Sequence, residues 1–250
     1  IFSFIFFSLS TAQASTKDCN LKPSANSKNY IIGYGSLMER DSRMNTNPQA
    51  YKVEPVLVSG FQRVWGQNGG NYKTTFLTLV EKKDAKLNAI FYSVNLENLI
   101  KTDQRERSYC RIKVDEKNLD FYGRKVKSKD ANFWIYAATP DRLQKPSRSH
   151  PIAQSYVDIF INGCLQTEEE FKLQGFAKDC VQLTSDWSEQ WVNDRLHARR
   201  PFATKNAVKI DQLLSQYFSH YYNHPIELKI FTKNNLFNGE IIIMTKILRK

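Results

Sequence analysis

A series of short strand-like segments between residues 30 and 138 is the feature that most constrains the fold. Each segment combines apolar, β-branched or aromatic residues with a nearby turn signal, and one short predicted helix, Asn95–Thr102, interrupts the series. So many short strands within roughly a hundred residues predict a small closed or nearly closed sheet. The predicted strands are Tyr30–Gly33, Val53–Trp65 with a break at Gly60, Thr74–Val80, Leu87–Val94, Arg111–Val114, Phe121–Val126 and Asn132–Ala138.

After this series the apolar residues follow helical spacing, so we predict an α+β fold, a small mixed β-barrel with flanking helices. The predicted domain covers residues 30–203, and a C-terminal appendage, residues 204–250, contains a last helix and two β-like runs. The predicted helices begin at Ser149–Pro151, at a capping box over Thr167–Glu170 that opens a helix ending near Cys180, at Asp186–Arg195 with Trp187 and Trp191 four residues apart, and at Asn206–Tyr222.

The composition indicates a globular protein with a basic surface. Apolar residues make up 41% of the chain and aromatic residues 13%, which excludes a disordered chain. The net charge of +11 favours anionic solutes or surfaces as partners. The basic residues are dispersed rather than interleaved with aromatics in one run, so no nucleic-acid partner is expected.

The first residues resemble a secretory leader. Ile1–Leu9 is nearly all apolar, and Ala12-Gln13-Ala14 has the small-residue pattern of a cleavage site. The apolar run is too short for a bilayer-spanning helix, so no stable membrane span is expected. We therefore predict a signal peptide over residues 1–14 whose start is missing from this sequence, a flexible tail over residues 15–29, and an exported, periplasmic or secreted protein. A buried first strand is the alternative.

Four cysteines, at positions 19, 110, 164 and 180, allow two disulfides in three possible pairings. A bridge between Cys164 and Cys180 is conceivable if their helices pack together, and buried free thiols are the alternative. The chain has no CxxC motif and no Cys/His cluster, so no metal site is predicted. No cofactor is predicted either.

Two short motifs carry the functional prediction. Ile31-Ile32-Gly33-Tyr34-Gly35-Ser36-Leu37 has the pattern of a buried strand that runs into a tight glycine turn. Asp103-Gln104-Arg105-Glu106-Arg107-Ser108-Tyr109 places Glu106 among cations and a tyrosine. Backbone N–H groups in such a turn can bind a small anionic group, and a carboxylate can transfer a proton. The pair therefore indicates a pocket for acyl-transfer chemistry.

In their order and separation the two motifs resemble those of the gamma-glutamylcyclotransferase-like proteins, whose hallmarks are a Tyr-Gly-Ser loop and a later Asp-x-Arg-Glu followed by Tyr. The spelling Gly33-Tyr34-Gly35-Ser36-Leu37 is most similar to the glutathione-degrading, ChaC-like branch. The resemblance covers about Tyr30 to Pro201. Thr102, where an apolar residue is usual, departs from the pattern.

The resemblance implies conversion of a γ-glutamyl amide, such as glutathione or a γ-glutamyl amino acid or amine, into 5-oxoproline and a free amine. It assigns Glu106 the catalytic proton transfer, in place of a salt-bridged surface role among neighbouring arginines. The resemblance also implies a small-molecule partner and no cofactor. The implied substrate-binding residues are Ile31, Ile32, Gly33, Tyr34, Gly35, Ser36, Leu37, Tyr109 and His150, the last at a position where the family commonly has Tyr.

Three functional hypotheses stay open from the residues alone. The first is a gamma-glutamylcyclotransferase. The second is an exported, non-catalytic binding or effector protein with the same fold. The third is a basic protein that binds anionic polymers, for which steep salt dependence would be diagnostic. Retention of both Glu106 and the glycine turn favours the first.

Overall fold

A mixed sheet curled into a half-barrel forms the centre of the molecule. The computed structural model describes residues 19–23, 27–122, 131–201, 203 and 205–218. The strands are β1 (Lys28–Gly33), β2 (Glu54–Asn68), β3 (Thr75–Val94), β4 (Cys110–Val114), β5 (Leu119–Phe121), β6 (Ala131–Ala137), β7 (Ile152–Ala153), β8 (Thr184–Ser185) and β9 (Trp191–Val192). The main sheet has the order β4-β6-β1-β3-β2-β5, with β8 also paired to β2, and β7 and β9 form a separate pair. The predicted α+β class is confirmed.

The longest pairing is the antiparallel hairpin of β2 and β3. Thr74–Val80 and Leu87–Val94 were predicted as two strands, but β3 is continuous because the residues between them, which are mostly polar and exposed, stay extended. The predicted break at Gly60 is confirmed as a register shift in β2 between Ser59 and Phe61. Gly60 has φ +89°, which a residue with a side chain rarely adopts.

The described residues form five α-helices beside the sheet. Asn95 caps α2 by accepting the Asn98 N–H at 2.8 Å, and the helix ends with Glu106 at its C-cap. This position matters because β1 and α2 then deliver both sequence motifs to one side of the sheet. The helices are α1 (Arg40–Met44), α2 (Leu96–Arg105), α3 (Gln154–Phe171), α4 (Phe176–Gln182) and α5 (Ala207–Tyr217).

The predicted helix boundary at Thr167 is wrong. Thr167 does not cap a new helix; its hydroxyl donates to the Gly163 carbonyl of the preceding turn at 2.9 Å, and α3 continues to Phe171. The break comes at Lys172, which is left-handed at φ +56°. Glu168 then accepts the Ala177 N–H at 2.8 Å, which stabilises the start of α4.

The predicted helix over Asp186–Arg195 is also wrong. Just before this segment β8 pairs with β2, and within it β9 pairs with β7, so the backbone is extended there rather than helical. Trp187 and Trp191 are nevertheless adjacent, because the loop stacks their rings at 5.3 Å with an interplanar angle of 21°. A spacing of four residues therefore brought the rings together without a helix.

Two disulfides hold the fold together, one between consecutive helices and one between cysteines 91 residues apart in the chain. Cys164–Cys180 links α3 to α4, which is the bridge considered from sequence, and Cys19–Cys110 ties the N-terminal segment to β4. Beside the second bridge, Asn20 N–H donates to the Arg111 carbonyl at 2.9 Å. All four cysteines are therefore paired.

The described part of the predicted C-terminal appendage packs against the domain. Helix α5 contacts α3 and α4, and buries Ile210 and Leu214. Arg195 binds Asp158 of α3 and Asp211 of α5 at 2.7 Å each, so an ion-pair network joins the two helices. The predicted leader, residues 1–14, lies outside the described residues, as do the C-terminal β-like runs beginning at Leu228 and the end of the predicted Phe121–Val126 strand.

The side chain of Arg63 in β2 links several elements of the fold through hydrogen bonds. Its side chain is fully buried, and its Nε donates to the Thr184 hydroxyl at 2.7 Å. Nη1 donates to the carbonyls of Tyr34 and Asn88 at 3.0 Å, and Nη2 donates to Asn88 Oδ1 and to the Cys180 carbonyl at 3.0 and 2.9 Å. All five guanidinium N–H groups are thus satisfied without a carboxylate.

We expect Arg63→Met to reduce the free energy of unfolding by about 2–4 kcal/mol, because the substitution leaves several buried acceptors without donors. Urea denaturation measures the change. Arg148→Met removes the same group from an exposed position and should change stability by less than about 0.5 kcal/mol. Equal stability of the two variants would contradict the role of Arg63.

Candidate active site

The two sequence motifs meet at a cavity between the glycine turn, the end of α2 and the start of α3. The cavity has a volume of about 510 Å³, and Ser36, Glu106, Tyr109 and Tyr156 line it. A recess of about 30 Å³ shares these four residues. The recess is further lined by Ile32, Tyr34, Gly35, Leu37, Leu77 and Tyr136. The two spaces are therefore adjacent, and the smaller one is the inner one because most of the residues that line it are buried.

The glycine turn is held from several sides. Tyr34 donates from its hydroxyl to the Tyr136 carbonyl at 2.5 Å, while its own carbonyl accepts from Arg63. Met38 N–H donates to the Gly35 carbonyl at 3.0 Å and closes a 3₁₀ turn over Ser36–Met38. This turn packs closely on α3 at Gly163, where a Cβ atom would lie 2.5 Å from the backbone nitrogen of Glu39. The close approach requires glycine at this position of α3.

Arg105 connects Glu106 to the turn. Its Nε lies 3.2 Å from Glu106 Oε1, and its Nη2 donates to the hydroxyls of Ser36 and Ser42 at 3.2 and 2.9 Å. Nη1 donates to the Thr46 hydroxyl at 3.0 Å. The guanidinium therefore fixes the carboxylate in relation to both the glycine turn and α1.

Glu106 is a shielded carboxylate with its end in the cavity. Only 15% of its side chain is exposed. Burial raises the pKa of Glu106, and the charges of Arg105 and Arg200 oppose that rise without cancelling it. A carboxylate with a raised pKa is a better proton acceptor than a free Glu.

Tyrosines surround Glu106. Tyr109 donates from its hydroxyl to the Leu77 carbonyl at 3.0 Å, and the Tyr156 hydroxyl lies 3.1 Å from the position that a Cβ on Gly35 would occupy. Burial raises the pKa of Tyr156 to about 12 and raises that of Tyr34 and Tyr109 as well. These phenols are therefore neutral near pH 7 and add no charge beside Glu106.

Asp103, the other carboxylate of the second motif, stabilises the fold instead of lining the cavity. It accepts from Arg111 Nε at 2.8 Å and from the Tyr136 hydroxyl at 2.7 Å. Arg111 also lies over the Trp134 ring at 4.3 Å. Asp103 therefore joins α2 to β4 and β6, which leaves Glu106 as the motif's carboxylate in the cavity.

The structure brings most of the predicted site residues together. Ile31 and Gly33 belong to β1 and do not line either space. His150 does not line them either: its carbonyl accepts from the Thr75 hydroxyl at 2.6 Å, and its ring contacts the Ser149 hydroxyl at 3.1 Å. The predicted residues that line the cavity or its recess are Ile32, Tyr34, Gly35, Ser36, Leu37, Glu106 and Tyr109.

Sequence reasoning missed Tyr136, Tyr156 and Arg200 as site residues. Tyr156 stands among apolar residues with helical spacing, which give no sign of a site, and its hydroxyl reaches the glycine turn because α3 packs against that turn. Arg200 stands in a segment without a motif. Within the described residues, no cluster of three or more His, Cys, Asp or Glu could hold a metal ion, and no helix has the length and apolarity for a membrane crossing.

The raised pKa of Glu106 makes stability depend on pH. The folded protein holds this proton to a higher pH than the unfolded chain does, so the associated stability is present below about pH 4.3 and is lost as pH rises through the folded-state pKa. Glu106→Gln stays neutral and should be more stable than the parent at pH 7, with a smaller difference at pH 4. Urea denaturation at both pH values measures this.

Glu97→Gln on the same helix is the matched control. Glu97 is exposed, and a hydrogen bond from Lys101 lowers its pKa, so its carboxylate contributes stability above the unfolded-state pKa. The control should therefore be slightly less stable than the parent at pH 7. A shift of both variants in the same direction would show that Glu106 is not desolvated.

Comparison with known proteins gives fold-level similarity only. No protein-family model and no curated protein sequence matches the chain. Among solved structures, a gamma-glutamyl cyclotransferase is 14% identical over 75% of this chain and 98% of its own, with a TM-score of 0.47. An uncharacterized protein from Homo sapiens is 15% identical over 65% and 92%, with a TM-score of 0.47. A yeast gamma-glutamyl cyclotransferase specific to glutathione is 12% identical over 63% and 96%, with a TM-score of 0.37. The functional conclusion therefore depends on the chain's own residues.

Proposed function

We propose that the protein is a gamma-glutamylcyclotransferase that converts a γ-glutamyl amide into 5-oxoproline and a free amine. The observation that carries the proposal is the single carboxylate of Glu106, shielded from water and joined through Arg105 to a glycine turn at a cavity. Glutathione and γ-glutamyl amino acids or amines are the candidate substrates.

The reaction suits a site with one carboxylate. The α-amine of the substrate attacks its own γ-carbonyl carbon and closes a five-membered lactam, so the enzyme needs to supply no nucleophile. Holding the chain in its folded attack conformer supplies the advantage of an intramolecular reaction. The remaining requirements are proton transfer and stabilisation of the tetrahedral oxyanion.

Glu106 is proposed to move the proton. At neutral pH the substrate amine is an ammonium ion with a pKa of about 8, and Glu106 accepts one of its three protons. The amine nitrogen then bonds to the γ-carbon, and Glu106 donates its proton to the leaving nitrogen as the old C–N bond breaks. The second ammonium proton is lost from the new lactam nitrogen and the third stays on it, so the freed amine takes up a further proton to leave as an ammonium ion.

The surrounding groups suit the other requirement. Backbone N–H groups of the turn at Gly35 and Ser36 are suited to an anionic oxygen, and the neutral hydroxyl of Tyr156 beside the turn is a further donor. Because these donors are held by the protein frame, they would need little rearrangement during the reaction. The Ser36 hydroxyl also accepts a hydrogen bond from Arg105, which contacts Glu106 as well, so Arg105 fixes the turn and the Glu106 carboxylate relative to each other.

We expect Glu106→Gln to lower kcat by at least about 100-fold while leaving substrate affinity within a few-fold, because Gln retains the shape but cannot carry a proton. Release of 5-oxoproline from glutathione and from γ-glutamyl dipeptides, measured by chromatography, gives kcat and KM. Glu97→Gln should retain parental turnover. Wild-type-like turnover by Glu106→Gln would exclude the proton-transfer role.

The same assay, together with a binding measurement, distinguishes the proposed enzyme from the alternative of an exported, non-catalytic binding protein. If the parent chain binds γ-glutamyl ligands by calorimetry but releases no 5-oxoproline from any of them, the protein is a non-catalytic binder with this fold. If it neither binds nor converts them, the proposed substrate class is wrong.

We also propose that the protein is exported, a proposal supported by two disulfides that are typical of oxidising compartments. The native protein should have no alkylatable thiol before reduction and four after it. Mass spectrometry of protein isolated with an alkylating agent present measures both numbers and the mature N-terminus, expected at Ser15. Four alkylatable thiols before reduction would contradict export.

A further inference from the structure

A cation stands in the outer part of the cavity, away from the recess. The Arg200 guanidinium lies over the Tyr72 ring at 4.9 Å and over the Phe76 ring at 5.8 Å. Arg200, Tyr72 and Phe76 line the larger space but not the recess, which Glu106 and Ser36 share with it. The site therefore has an inner end for proton transfer and an outer end that carries positive charge.

The backbone at Arg200 is held firmly. Arg200 N–H donates to the Ser155 hydroxyl at 3.2 Å, and the preceding residue, Arg199, donates from its N–H to Asp194 at 2.8 Å. Asp194 is fully buried and also accepts from the N–H and hydroxyl of Ser155, at 2.7 Å each. Ser155, which holds both Arg200 and Asp194, belongs to the start of α3. The Arg200 backbone is therefore fixed relative to Tyr156, the next residue of that helix.

Arg200 differs from Arg105 and Arg111 in its partners. Arg105 and Arg111 each lie within 3.2 Å of a carboxylate oxygen. Among the ion pairs of the described residues, none includes Arg200, whose contacts are aromatic rings. A stacked guanidinium keeps its edge N–H groups available, and that edge matches a carboxylate in a bidentate manner.

We propose that Arg200 binds a carboxylate on the leaving group and makes the enzyme specific for γ-glutamyl amino acids and peptides over γ-glutamyl amines. This inference rests on the proposed cyclotransferase function. The attacking amine and the γ-carbonyl must both reach Glu106, which keeps the γ-glutamyl part near the recess. The leaving group then extends into the outer space, where Arg200 meets a carboxylate carried by the freed amino acid or peptide.

The matched substrates are γ-glutamylglycine and γ-glutamylglycinamide, which have nearly the same size but differ in the leaving-group charge. We expect kcat/KM of the parent to favour γ-glutamylglycine by about 10–100-fold, the range for hydrogen bonds to a charged group. Arg200→Gln should remove this preference by lowering kcat/KM for γ-glutamylglycine alone, and Arg200→Lys should retain part of it. A preference that persists in Arg200→Gln, or an equal loss for both substrates, would overturn the assignment.

Arg40→Gln is the charge control. Arg40 is an exposed residue paired with Glu170 at 2.8 Å and does not line the cavity, so its loss lowers the net charge equally and should leave the preference unchanged. Thermal unfolding of Arg200→Gln within a few degrees of the parent shows that the fold is kept. A similar loss of preference in Arg40→Gln would indicate general charge attraction and contradict a site at Arg200.

A binding measurement separates this inference from the proposed function. Calorimetry with Glu106→Gln, alone and combined with Arg200→Gln, uses the same two compounds. If γ-glutamylglycine binds more tightly than γ-glutamylglycinamide and Arg200→Gln removes the difference, the carboxylate site is supported. Absence of turnover by the parent would then contradict only the cyclotransferase function. Turnover without discrimination contradicts only the Arg200 site. Binding of neither compound contradicts both.

Discussion

The buried guanidinium of Arg63 is the interaction on which the arrangement of the site depends. Desolvation lowers the pKa of Arg63 to about 9, yet this leaves the group charged at neutral pH. A buried charge without a counter-ion is tolerated only when its N–H groups are all satisfied. Here five acceptors from β2's neighbours surround it, and one of them is the carbonyl of Tyr34, inside the glycine turn. The sheet, α4 and the turn therefore depend on one side chain.

Further constraints act on the same few elements. The Cys180 carbonyl accepts a hydrogen bond from Arg63, and its sulfur forms the disulfide with Cys164 of α3. A hydrogen bond and a disulfide therefore attach α4 to the sheet and to α3. Helix α3 carries Gly163 against the turn and Tyr156 toward Gly35. The position of the turn is thus determined from the sheet side by Arg63 and from the helix side by α3, which is why a short loop can present its backbone in a defined geometry.

The properties of Glu106 come from a balance of opposing effects. Loss of water raises its pKa, while Arg105 and Arg200 lower it. The Arg105 guanidinium contacts Ser36 and Ser42 as well as Glu106, so only part of its hydrogen-bonding capacity is directed at the carboxylate. Arg200 acts from the outer space and keeps its contacts to aromatic rings. The division of the cavity into an inner acid/base end and an outer cationic end follows from this distribution.

Local sequence determined much of this protein, because strand patterns, glycine turns and caps depend on residues close in the chain. The strands around Gly33 and Gly60, the helix before Glu106 and the meeting of both motifs at one cavity could all be predicted. Tertiary structure decided what depends on distant partners. Thr167 lies inside a helix because its hydroxyl donates to Gly163 rather than capping, and the segment after Trp187 forms β9, which pairs with β7. Tyr156 and Arg200 reach the cavity only through the path of α3 and the Asp194 anchor, and His150 does not line it. No local pattern encodes such contacts, since their energy comes from groups that the fold brings together.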